Sequence, residues 1–298
     1  MSELPATLTY FGNLQSISQV LNKCALPLVE ASQLHNPFLP DKNTPLAFTV
    51  SEMFEQSVKF ISHAILGKSA PRGQPNHPLI KAIARWRLEN RFNDESEIRE
   101  ALNGLLPAMV EKTFNDAKVA HQRWIDFVSQ KRIVVLYEKF QELQQWERLI
   151  YQHKGAAIKF KCATDDIFKF AHPAIYQKKP MQTVELSDYI EHMVGTKTEI
   201  EFNPLNILLA QNYSQRTFKE WRMVVNSDDY TENLIEFPVG AIQSVYIDAL
   251  VPAQSVEQLK NHLAKMNSHI HVYQAKCKRN EYELEFVKIS DNHDEPPE

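Results

Sequence analysis

Near residue 130 the apolar residues of this chain change period, from that of a helix to that of a strand. Over residues 51–130 they recur at helical spacing: Phe54, Val58, Ile61 and Ile65 make one stripe, Leu79, Ile83 and Trp86 a second, and Val110, Phe114, Ala117, Trp124 and Val128 a third. Such spacing gives a helix one apolar face. Then comes Ile133-Val134-Val135-Leu136-Tyr137, an unbroken apolar run of the kind a buried strand carries. The two patterns predict a helical block set into a fold made of strands.

Strand-like runs before and after the block supply the rest of that fold. They include Leu8–Phe11, Ala25–Glu30, Ala156–Cys162, 174–177, 221–226, 234–238, 242–248, His269–Lys276 and Tyr282–Lys288. Short helices are expected over Ile17–Cys24 with Ser16 as N-cap, over 139–153 with Gly155 as the stop, and around Val256–Met266. Pro78 suits a helix's first turn, and Asp94 followed by Glu97 reads as a capping box. The expected class is α+β, with a mixed, mostly antiparallel sheet and an inserted helical subdomain. Residues 1–50 form the first part of the core, 51–130 the insertion, 131–289 the remainder of the core, and 290–298 a disordered acidic tail.

Charge and cysteine content exclude several classes. Lys and Arg total 33 against 37 for Asp and Glu, a net charge of −4. No basic excess exists to drive non-specific nucleic-acid binding. No apolar stretch is long enough to span a membrane, and the first residues lack a leader's charged and apolar regions, so a soluble cytoplasmic protein is expected. Cys24, Cys162 and Cys277 are far apart and odd in number, which fits reduced thiols rather than a disulfide framework or a cysteine zinc site. His269 and His271 share a strand face but have no carboxylate or cysteine at matching spacing, so no metal site is assigned. No P-loop, dinucleotide glycine motif or Ser-His-Asp signature occurs.

Four blocks, in order, give the chain a family likeness: Leu8-Thr9-Tyr10-Phe11 before a helix, the turn Leu34-His35-Asn36-Pro37-Phe38, Trp146 followed by His153-Lys154-Gly155 and an apolar strand, and Lys219-Glu220-Trp221-Arg222 before another strand. With Tyr176-Gln177-Lys178-Lys179-Pro180 between the last two, they resemble the bacterial domain-of-unknown-function 2971 family across nearly the full length. Asn36 and His35 replace the family's Asp and Asn in the turn, and Arg148-Leu149 replace its His-Tyr after the tryptophan, so the chain looks like a divergent member. The tyrosine-bearing first strand and late Glu strand also look like the ADP-ribosyltransferase fold, although Phe11 and Gly12 stand where that fold carries a histidine. This second likeness implies NAD as cofactor.

Glu220 and Arg222 are the candidate catalytic pair. Strand alternation sets both on one face and Trp221 on the other. A carboxylate at such a place can hold a ribose hydroxyl and steady positive charge at a departing glycosidic centre; alternatively the two are an ion pair closing a sheet edge. In the transferase reading Tyr10 packs against a bound nucleotide, Lys219 or Arg222 meets its phosphate, and Glu220 is the catalytic carboxylate. His153 and Lys154 would set cations beside a phosphate, or simply follow a helix C-terminus where cations are favoured. Trp146 would stack on a ligand or fill the core, and Asn36 would border the site or only shape its turn. The competing function is a non-catalytic interaction protein in a phage-defence or toxin-related assembly.

Overall fold

A computed structural model describes residues 3–34, 38–67, 72–150, 153–162, 167–267 and 269–290. The chain forms two units. An α+β unit takes Met1–Pro37, Gln130–Pro180 and Leu208–Glu298, and a helical unit takes Phe38–Ser129 and Met181–Ile207.

In the α+β unit, β1 (Thr7–Asn13) leads straight into α1 (Leu14–Lys23), then β2 (Ala25–Pro27) and β3 (Val29–Glu30). In the helical unit follow α2 (Val50–Leu66), α3 (Pro78–Leu88), α4 (Glu95–Asn103) and α5 (Leu106–Ser129). The α+β unit resumes with β4 (Lys131–Tyr137), α6 (Leu143–Leu149), β5 (Gly155–Lys161), β6 (Ala171–Pro173) and β7 (Ile175–Gln177). The chain then makes α7 (Leu186–Val194), α8 (Pro204–Leu209), β8 (Ala210–Asn212), β9 (Glu220–Asn226), β10 (Leu234–Glu236) and β11 (Ile242–Ile247). It closes with α9 (Ala253–Met266), β12 (His271–Cys277) and β13 (Leu284–Lys288).

The main sheet runs β13-β12-β11-β5-β1-β4-β9-β6, with β3 on β4. Its pairs are antiparallel except β11 with β12, which α9 joins in parallel. The expected mixed, mostly antiparallel α+β sheet is the sheet observed. Both its outer stretches and its centre draw on segments far apart in sequence, so the helical segments interrupt rather than extend it.

The sheet has two unlike faces. Leu8, Ile158, Phe160, Trp221, Met223 and Val245 point to one face and bury against α1 and α9, through Ile17, Val20, Leu21, Leu259 and Leu263. Phe11, Tyr137, Ala157 and Tyr246 point to the other, with Trp146 and Leu149 of the short α6.

Several local expectations are corrected. Asn13, not Ser16, caps α1: its side chain accepts from the Ser16 amide at 2.8 Å. Glu97 reaches past Asp94 to the amide of Asn93 at 2.9 Å, so Asp94 caps α4 without a reciprocal box. The expected strand 25–30 breaks at Leu28, sending β2 to β10 and β3 to β4. The helix expected over 139–153 spans Leu143–Leu149 only. Gly155 does not stop it; it opens β5, where a Cβ would meet the Gly12 carbonyl oxygen at 2.4 Å.

The helical unit extends further than the block of residues 51–130. Tyr189, Ile190, Met193 and Val194 of α7 share one stripe and bury it among Met53, Val58, Ile61 and Val110. A short amphipathic helix gains most of its stability from such burial, which is why α7 sides with helices distant in sequence. Residues 291–298, assigned above to a tail, lie outside the described residues.

Candidate functional site

Glu220 opens β9 and Arg222 follows two residues on, so the pleat sets both side chains on the face of Tyr137, across the pair Tyr137–Glu220 in β4 and β9. Trp221 points the opposite way into the aliphatic core. Alternation therefore reads these three side chains correctly.

Both charges are out of solvent: Glu220 is 5% exposed and Arg222 1%. Arg222 Nε donates to Glu220 Oε1 at 2.7 Å, and a terminal guanidinium nitrogen lies 2.6 Å from the same oxygen. The other terminal nitrogen donates to the carbonyls of Leu208 and Ala210, the latter at 3.3 Å. Gln211 Nε2 donates to Glu220 Oε2 at 3.0 Å, and the Glu220 amide donates to the Tyr176 hydroxyl at 2.6 Å.

The small parallel ladder of β7 and β8 explains how these partners arrive. Tyr176 and Gln211 stand directly opposite each other in it, so one pairing delivers both to Glu220. Sequence inspection misses Gln211 because β8 is three residues long and carries no alternation. Tyr176 belongs to one of the blocks carrying the family likeness, but nothing local assigns it a partner. Burial pushes the Tyr176 hydroxyl up to about 12. Burial also raises Tyr137, aided by the negative charge of Glu220.

Tyr10 does not share this place. It pairs with Ile158 and packs against the aliphatic core, on the opposite face of the sheet from Glu220, so the two do not share one side as the transferase reading expects. Burial alone pushes its hydroxyl up to about 12.

Trp146 is on the face of Glu220 but is fully buried. It meets Phe11 edge-on at 5.1 Å, and its indole N–H donates to the Phe140 carbonyl at 2.5 Å. It is a core residue, with no open ring face for a base. Its neighbour Gln145 is more unusual. Gln145 is fully buried, yet neither its amide oxygen nor its amide nitrogen has a partner among the described residues. Arg148, one turn along α6, lies over the Phe218 ring and bears on the Tyr137 hydroxyl.

His153 belongs to a separate cluster. It adopts φ of +52° in the connection to β5, and its Nδ1 lies 3.1 Å from Oδ1 of Asp248, a carboxylate with no solvent exposure just after β11. Burial raises that carboxyl, while a bond from the Ala249 amide at 2.7 Å and the imidazole work against the rise. The helix expected to reach His153 ends at Leu149, and His153 ties the start of β5 to the end of β11. Lys154 follows it and is exposed. Lys219, in a left-handed turn before β9, forms an ion pair with Glu138, and its carbonyl accepts from the Glu138 amide at 3.1 Å. Asn36 lies outside the described residues.

The sheet thus brings together Glu220, Arg222, Tyr137, Tyr176 and Gln211, and leaves Tyr10 and His153 elsewhere. Among the described residues no group of three or more His, Cys, Asp or Glu is placed to hold a metal ion, and no helix is long and apolar enough to cross a membrane. Compared with family models, curated proteins and solved structures, the chain matches none.

Proposed function

We propose that this chain is a non-catalytic interaction protein in which Glu220 and Arg222 act as a structural clamp. The observation that carries this reading is that Arg222 and Gln211 between them engage both oxygens of the Glu220 carboxylate at 5% exposure. A carboxylate that steadies charge on a substrate must present an oxygen to the reacting centre. Here both oxygens are engaged by side chains of the same unit. A protein partner has a candidate surface on the helical unit, a groove of about 440 Å³ lined by Phe60, Leu186 and Ile190 with Lys59, His63 and Glu191. Apolar grooves of this type accept an amphipathic helix.

A second reading, a nucleotide-binding enzyme similar to ADP-ribosyltransferases and related to the domain-of-unknown-function 2971 family, is favoured by Gln145. Its unpartnered amide offers a donor and an acceptor together. One experiment separates the two. Differential scanning fluorimetry with millimolar NAD, ADP or ATP is expected to leave the melting temperature unchanged, and NAD is expected to remain intact. A melting point raised by NAD, with NAD consumption lost in Glu220→Gln but folding retained, would overturn the clamp and favour the enzyme, because a ligand of the folded state stabilises it by mass action.

A further inference from the structure

The helical unit contains a cavity of about 340 Å³ formed where the end of α5 meets the segment on both sides of α7. Its size is at the low end of ligand pockets, which run from about 300 to 1,000 Å³, and so suits one small molecule rather than a dinucleotide. Three kinds of chemistry line it.

The first is aromatic. Trp124 and Phe202 meet edge-on with ring centroids 4.9 Å apart, and Tyr189 completes the wall. Trp124 and Tyr189 are buried, yet Phe202 is 51% exposed. A large apolar ring left half in water beside a cavity is available to cover an apolar group.

The second is one cation. Arg123 lines the cavity, and its charge is felt at the Tyr189 hydroxyl. Trp124 follows it on α5. The third is carboxylate. Glu185, Asp188 and Glu201 line the same space. Asp188 is taken up by Lys197 at 2.7 Å. Glu185 stands at the N-cap of α7, where its side chain makes no capping bond.

We propose that this cavity binds a free α-amino acid with an aromatic or large aliphatic side chain. Arg123 takes the carboxylate, Glu185 and Glu201 take the ammonium, and Trp124 with Phe202 takes the side chain. The arrangement favours a zwitterion because the exposed rim offers one positive charge at Arg123 and negative charges at Glu185 and Glu201. Asn203 and Asn206, also in the lining, supply neutral donors and acceptors. This assignment concerns the helical unit and is independent of whether Glu220 is a clamp.

Isothermal titration of the full chain with L-tryptophan, L-phenylalanine and L-leucine tests it, with tryptamine and indole-3-propionate as probes lacking one charge each. At least one of the three amino acids is expected to bind saturably, and each truncated probe up to about fivefold weaker, since an ion pair between exposed charges contributes roughly 0.2–1 kcal/mol. Arg123→Ala is expected to weaken the amino acid up to about fivefold without weakening tryptamine. Arg123 is exposed, so its melting temperature reports that the variant folds. Phe202→Ala is expected to weaken every probe. The proposal is overturned if none of the three amino acids binds, if indole-3-propionate binds as well as L-tryptophan, or if adenosine binds in preference to all of them.

Discussion

The two faces of the main sheet are made from the same strands but hold together by different physics. On the α1 and α9 side, Leu8, Ile158, Val245 and Met223 interlock with aliphatic helix residues, and stability there follows buried apolar area. On the other side, Phe11, Tyr137, Trp146 and Tyr246 share the face with Glu220, Arg222, Gln145 and Thr9. There, polar atoms must find partners inside the protein, and each failure costs free energy. The Thr9 hydroxyl and both amide atoms of Gln145 have no partner among the described residues, whereas both Glu220 oxygens and all three Arg222 guanidinium nitrogens have one. One face therefore tolerates many substitutions of similar volume, while the other depends on a few specific pairings.

Substitutions can break or sharpen that contrast. On the aliphatic face, Leu8→Ala, at a fully buried position, is expected to lower the unfolding free energy by about 2–5 kcal/mol in urea titration. Gln145→Met should act in the opposite sense. Removing an unpartnered buried amide at similar volume is expected to raise stability by roughly 1–3 kcal/mol in the same titration. A loss of that size instead would mean that the amide is satisfied, by water or by a ligand, and would move the aromatic face toward a binding site.

Alkaline pH probes both faces at once. Tyr10 on one face and Tyr176 on the other are pushed up to about 12 by burial. The fold holds both neutral, whereas tyrosines of the unfolded chain ionise near pH 10. Their contribution is therefore complete below about pH 10 and is lost as pH rises toward about 12. The melting temperature should fall across that window, and Tyr10→Phe with Tyr176→Phe should flatten the fall. Lys219→Ala is expected to matter least, by at most about 1 kcal/mol, because its ion pair with Glu138 is partly exposed to solvent.

Periodicity made much of this legible. The change near residue 130, the stripes of α2, α3 and α5, and the inward and outward sides of β9 are all properties of apolar spacing. What spacing could not show were contacts decided by chain segments that carry no pattern. The three-residue β8 brings Gln211 to Glu220, and α7 joins helices more than fifty positions away. Tyr10 was misplaced for another reason. A strand's pattern says which residues share a side, but which side faces Glu220 depends on the register of β1 with β4 and β5. Gly155 likewise serves a close approach to β1 rather than a helix stop, and α6 ends well before it at Leu149.

The clamp formed by Glu220 and Arg222 is tested most directly by the unfolding free energies of Glu220→Gln and of Glu220→Gln with Arg222→Gln. Losing the acid alone should cost about 3–5 kcal/mol, since a guanidinium is then buried without its counter-charge, and the second substitution should recover a good part of that loss. A single variant as stable as the parent, with an activity on NAD abolished, would contradict the clamp and restore the carboxylate as a catalyst.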